Sequence, residues 1–225
     1  MSWLLVAAEE LEFSGILKRA SRVQPLNVPG VVFAKEVEWT AGRTLLIANG
    51  PGPRLAAQAV ARKLAVDGIM SVGFCGALDP ALSIGDIVVS GEFPGADRKR
   101  TDGKLFVQGE VLSVDRVAVT AAEKGELRRT TGASVVEMES AALISKARDW
   151  GVPFCCVKTV SDTARENMPL DFNRYRAADG RFARNRIALA AAARPFTSVP
   201  ALLRLVKNCR LAAESLGEFL ADCKL

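Results

Sequence analysis

An α/β domain built around a largely parallel sheet is the fold class this chain predicts, and three observations predict it. Short apolar runs of strand character alternate with stretches of helical spacing along most of the sequence. The 225 residues, 49% hydrophobic and 24% charged, suit one globular domain with ample surface to bury. Glycines and carboxylates gather where several apolar runs end, the place where open α/β sheets bind ligands.

The elements follow in order. Trp3–Ala7 is an apolar strand, and Glu9–Ser21 carries helical spacing. Val31–Val37 and Thr44–Ala48 are strands, the second running into Asn49-Gly50-Pro51-Gly52-Pro53-Arg54. A proline near a first turn marks the start of a helix over Pro53–Val66. Ile69–Phe74 is a buried strand that ends in Cys75-Gly76-Ala77-Leu78-Asp79, and Asp86–Ser90 follows as another. Gly91–Gly109 is polar and turn-rich, and reads as a mobile surface loop. Strands at Glu110–Ser113, Ala133–Glu137 and Phe154–Val160 alternate with helices at Ala121–Thr130, Ser140–Trp150 and Phe172–Ala193. Beyond Pro195, apolar residues at helical spacing over Val199–Leu220 predict an added amphipathic helix, broken near Gly217. The organisation expected is a main domain over 1–195 and a helical extension over 196–225.

Composition removes several function classes. With no histidine, His-dependent triads and most zinc chemistry are excluded, so acid–base work falls to Asp, Glu, Lys or Arg. The five cysteines have no metal-type spacing and read as reduced residues of a cytoplasmic protein; no metal is expected. No basic leader precedes the first apolar run, and no run reaches the ~20 apolar residues that span a bilayer. The net charge of +5 is concentrated in the C-terminal third. Without an aromatic stacking pattern it reads as a solvated helix face rather than a nucleic-acid site. A basic amphipathic helix also permits peripheral membrane contact, and packing against a second copy explains it equally well.

Four strand ends carry the candidate site. Gly50 and Gly52 let backbone N–H groups approach an anion at a helix start, with Arg54 adding charge; a tight turn with a solvated arginine is the plain alternative. Gly76 offers the same close approach after a buried strand, or merely satisfies a turn. Glu137 and Glu139 share a face if the strand continues and diverge if a helix starts at Glu139. A carboxylate suits a ribose diol, although Glu139 also fits a helix start. Asp162, after Ser161, is either an N-cap or a general acid for a leaving nitrogen. Lys158, on an otherwise apolar strand, needs an anionic partner, either Glu139 or a bound phosphate.

Gly73-x-x-Gly76-x-Leu78, then Gly85-Asp86-Ile87-Val88-Val89-Ser90, then Val135-Val136-Glu137-Met138-Glu139-Ser140-Ala141-Ala142, then Val157-Lys158-Thr159-Val160-Ser161-Asp162 resemble the nucleoside phosphorylase and nucleosidase superfamily. The likeness runs in order from about Trp3 to Ala193. Residues 171–176 and 200–205 resemble its hopanoid-associated phosphorylase branch. The resemblance implies a three-layer α/β/α fold with a central mixed, partly barrel-like sheet, assembled as oligomers. It implies that Met138 and Glu139 bind ribose and that Asp162 protonates the purine, with Ser161 beside it. Phe74 and Val117 fall at the base. Gly50, Gly52, Arg54 and Gly76 fall on the phosphate side. Inorganic phosphate is then the co-substrate, no cofactor is needed, and ribose 1-phosphate and free base are the products. Hydrolysis, or nucleoside binding on a weakened enzyme, are the alternatives.

Four departures from the family pattern stand out. Phe74-Cys75 replaces a serine in the glycine turn, Lys158 an arginine, and Val117 an aromatic that stacks on the base. Leu11 falls where nucleosidases carry the glutamate that activates water, which favours phosphate as the nucleophile.

Overall fold

The computed structural model describes residues 2–40, 42–93 and 106–223. Most of the surface loop expected at Gly91–Gly109 lies outside the described residues. A ten-stranded mixed sheet forms the centre, with strand order β2-β3-β4-β1-β5-β10-β6-β7 and with β8 and β9 joined to it through β5.

β1 (Trp3–Ala7) is buried along its whole length and lies parallel between β4 (Gly42–Ala48) and β5 (Gly68–Ala77). Such a strand has no solvent face, which is why its sequence is continuously apolar rather than alternating. β2 (Arg22–Pro25) and β3 (Phe33–Trp39) extend the β4 edge in antiparallel fashion. β2 is exposed and carries no apolar pattern, so the sequence gives no sign of it. On the other side, β10 (Phe154–Asp162) runs parallel to β5 and antiparallel to β6 (Ile87–Gly91), and β7 (Val107–Gln108) runs parallel to β6.

Alternate side chains of the central strands feed two cores. Leu5, Met70, Val72 and Val157 pack under α1 (Ser14–Leu17) and α6 (Ser198–Ala221), while Leu4, Val6 and Ile69 pack under α2 (Pro53–Ala59) and α4 (Ser140–Trp150). This gives three layers. α3 (Ala121–Thr131) lies beyond the main sheet, capped by Thr120 and closed by Gly132 in a left-handed conformation.

Three predicted helices are shorter than their sequence patterns. Glu9–Ser21 becomes a 3-10 turn at Glu10–Phe13 followed by α1, and Pro53–Val66 stops at Ala59. Phe172–Ala193 splits into a 3-10 turn at Phe172–Tyr175 and α5 (Arg184–Ala192), because the chain reverses at Gly180 and bridges Arg176 to Phe182. α6, in contrast, runs unbroken through Gly217. A β-carbon on Gly217 would lie 2.3 Å from the backbone of Gly15. This glycine permits helix-on-helix contact rather than a break. Leu216, Phe219 and Leu220 thereby enter the same core as Trp3 and Leu5.

β5 positions the site. Its first residues pair β1, and its last two, Gly76 and Ala77, pair β9 (Val135–Glu137) on that same edge. β8 (Val111–Ser113) then pairs β9. On its opposite edge Gly76 pairs Asp162, across an irregularity in β10 between Val160 and Asp162. One residue therefore sits between the strand that leads to Glu139 and the strand that ends at Asp162.

Candidate active site

A cavity of about 190 Å³ opens at these strand ends. Its wall includes Glu12, Phe74, Gly76, Met138, Glu139 and Asp162. Ser161 and Val117 also line it, so the residues expected at sugar and base share one chamber.

β9 ends at Glu137 and α4 begins at Ser140, so the two glutamates diverge. Glu137 turns to the start of α4, accepting hydrogen bonds from Glu139 N–H (3.0 Å) and Ser140 Oγ (2.7 Å). It also pairs with Lys158 Nζ at 3.0 Å. Burial pushes its carboxyl up, but Lys158 and the hydrogen bonds outweigh this and hold it below the usual range. Lys158 lies 3.7 Å from Glu139 and donates to the Val72 carbonyl at 3.1 Å. Its nearer partner is thus Glu137, not the expected Glu139 or phosphate. Burial alone would lower its pKa, and the surrounding carboxylates raise it instead, so it stays charged.

Glu139 faces the cavity. Its Oε1 accepts the Gly52 N–H at 2.9 Å, and burial pushes its pKa up to about 7 despite Lys158. Asp162, on the opposite wall, accepts from Ser161 Oγ at 2.9 Å and from Lys124 Nζ. Burial raises its pKa too, against the pull of Lys124.

Two buried residues of the wall have no place among the candidates from the sequence. Glu12, next to Leu11, is buried and accepts Phe74 N–H at 2.6 Å and Glu9 N–H at 2.7 Å. Burial raises its pKa. Leu11 is 41% exposed and outside this cavity, so the carboxylate at this position of the wall is Glu12. Gly73 makes room for it: at φ +115°, a β-carbon there would lie 2.3 Å from Glu12 Oε1. Lys124 is the second, and the only buried residue of α3. Its ammonium is spent on Asp162, on Thr163 O (2.8 Å) and on Glu166 O (3.2 Å). No apolar periodicity on α3 announces it.

The expected phosphate side does not assemble. Gly50 N–H donates to Ala8 O and Gly52 N–H to Glu139, so neither amide is left for an anion. Arg54 turns to the Asp179 carbonyl and lines neither this cavity nor a larger neighbour of about 680 Å³ that borders Gly50. Gly76 does line the chamber, but its place follows from the approach of Asp162, whose Oδ2 lies 2.9 Å from where its β-carbon would be. Among the described residues the buried charged side chains are Glu12, Glu137, Glu139, Asp162, Lys124 and Lys158, and all six belong here. Acid outnumbers base, and each base is committed to an acid.

The rim is held by the 171–176 stretch. Asn173 clamps Val117, accepting its N–H at 2.9 Å and donating to its carbonyl at 3.0 Å. Arg176 ties Asp115 (2.8 Å) to the Pro51 carbonyl (3.2 Å). No group of side chains among the described residues could hold a metal ion.

The phosphorylase superfamily model matches residues 5–104 and 96–194. The chain belongs to that family. Its relatives include 5'-methylthioadenosine/S-adenosylhomocysteine nucleosidases of Shewanella sediminis, 26% identical over 209 residues, and of Shewanella loihica, 27% identical over 210. Each alignment covers 76% of this chain and 90% of the relative. Among solved structures, the Neisseria meningitidis nucleosidase in complex with methylthio-immucillin-A superposes with a TM-score of 0.70 at 20% identity, covering 98% of this chain and 97% of that one. Futalosine hydrolase of Helicobacter pylori gives 0.70 at 16%, covering 99% and 96%. These superpositions establish the shared mixed α/β fold, α6 included.

Proposed function

We propose that this member of the superfamily hydrolyses the N-glycosidic bond of a purine nucleoside. The observation that carries the reading is the excess of acid in this cavity: Glu12, Glu137, Glu139 and Asp162 are buried in its wall, Lys124 is committed to Asp162, and the exposed Arg116 at its margin pairs with Glu123. Excess negative charge at low dielectric stabilises an oxocarbenium-like sugar and opposes entry of a phosphate anion. This reverses the expectation of phosphorolysis based on Leu11 and agrees with the nucleosidase names of the relatives.

Glu139 holds the ribose hydroxyls. Asp162 gives a proton to the departing purine as the C–N bond breaks. Glu12 takes a proton from the water whose oxygen bonds the anomeric carbon. Asp162 is thereby left ionised and Glu12 protonated, and a proton passed back through solvent resets the pair. Neither metal nor cofactor enters the scheme.

Base release from adenosine, inosine, methylthioadenosine and an adenosyl-lipid analogue, each with and without phosphate, tests the reading. Free ribose-type sugar at a phosphate-independent rate is expected. A sugar 1-phosphate formed only with phosphate would restore phosphorolysis. Preference for the adenosyl-lipid would support the narrower hopanoid-associated likeness. Asp162→Asn should lower turnover by about 10²–10⁴ with the fold intact. Light scattering on the same preparation reads the oligomer that the family resemblance implies.

A further inference from the structure

We propose that the outer half of α6, with the corner before it, docks the protein on an anionic bilayer surface. From Arg194 to Ala213 the chain carries four Arg and Lys residues and no Asp or Glu, whereas the earlier Arg181 and Arg184 pair with Asp179 and Glu9. The whole chain is only +5, so these four cations equal most of its net charge. Within α6, Leu203, Arg204, Val206, Lys207, Arg210 and Leu211 are all exposed, and their spacing places them on one face. Phe196, at the corner between α5 and α6, is 93% exposed, and Leu203 is 64% exposed. The inner half of the same helix is buried through Ala212, Ala213, Leu216, Phe219 and Leu220, so the change from core to surface occurs within one rod.

Among the described residues, the only ion pair of this face is Arg204 to Glu166, at 3.8 Å. Cations interleaved with apolar side chains match a headgroup boundary: the cations meet lipid phosphates, and the apolar groups sink below them. A second copy of the chain fits poorly, since a two-fold contact brings the same cations together. Nucleic acid would engage the cations but leave Phe196, Leu203, Val206 and Leu211 in water. Among the described residues no helix is long and apolar enough to cross a membrane, so the contact is peripheral.

Flotation of full-length protein with phosphatidylglycerol/phosphatidylcholine vesicles, and with phosphatidylcholine alone, is the test. Binding about tenfold stronger to the anionic vesicles, and reversed by high salt, is expected. Phe196→Ser/Leu203→Ser and Lys207→Glu/Arg210→Glu should each reduce it about tenfold. Circular dichroism and base release from a soluble nucleoside should not change. Absent or lipid-independent binding would overturn the proposal, as would variants that bind like the parent. Loss of self-association in the charge-reversal variant by light scattering would assign the face to a second copy instead. RNA that binds the parent and displaces vesicles would assign it to nucleic acid.

Discussion

At the residue scale, six buried charges do the positioning, and their environments divide the labour. Glu137, although it borders the cavity, is committed to Lys158, whereas Glu12, Glu139 and Asp162 line the cavity without contact closer than 3.7 Å to that lysine. Glu12 works as a base only when ionised, and burial raises its pKa. The rate should therefore fall with acid above the usual glutamate range of about 4.3. Glu12→Gln should remove that limb and cost about 10²–10⁴ in kcat, read from pH–rate profiles of both proteins. Lys124→Met strands Asp162 in a buried site, and breaking such a pair costs about 3–5 kcal/mol. Combining it with Asp162→Asn should recover part of the loss, because no carboxylate is left unpaired. Denaturant unfolding of the two single variants and the double variant measures the coupling, and additive losses would dissociate the pair. The sequence hid Lys124 because one charged residue on a polar helix carries no periodic signature.

At the element scale, legibility followed burial. β1 and β5 are apolar over almost their full length because both faces are covered, β10 is so over Phe154–Val157, and the sequence marks each of them. The exposed β2 has nothing to bury and leaves no pattern. Helix lengths failed where tertiary contacts override propensity, as in the chain between Tyr175 and Arg184, which folds back over the rim. The site motifs at β9 and β10 were readable because each puts a carboxylate at a strand end. That they meet depends on the pairing of Gly76 with both strands, and no single segment encodes this pairing. Gly217 misled because a glycine inside a helix signals either a break or close approach. A Gly217→Val side chain would meet the Gly15 backbone and force α1 and α6 apart. A loss of about 1–3 kcal/mol is expected in chemical denaturation, whereas Gly125→Ala, in open space on α3, should be neutral or stabilising by up to about 1 kcal/mol.

For the whole molecule, the buried carboxyls whose pKa is raised, Glu12, Glu139 and Asp162, make stability fall with rising pH, opposite to Glu137 and to ordinary surface ion pairs. Glu139 titrates near 7 in the folded chain and near 4.5 in the unfolded one, so the folded state holds its proton more tightly. Its favourable contribution is complete below the unfolded value and disappears as pH rises through about 7. Glu139→Gln keeps a neutral group there, and should raise the melting temperature by several degrees at pH 8 but little at pH 5, while removing turnover. Equal shifts at both pH values would place the effect elsewhere. α6 extends the same logic of divided roles to the full length of the protein. Its inner half is ballast and its outer half an outrigger, cut from one stiff spar about 36 Å long. Adhesion to a surface can thus be gained, tuned or lost by drift at a few outward positions, while the reaction chamber stays under its own separate selection.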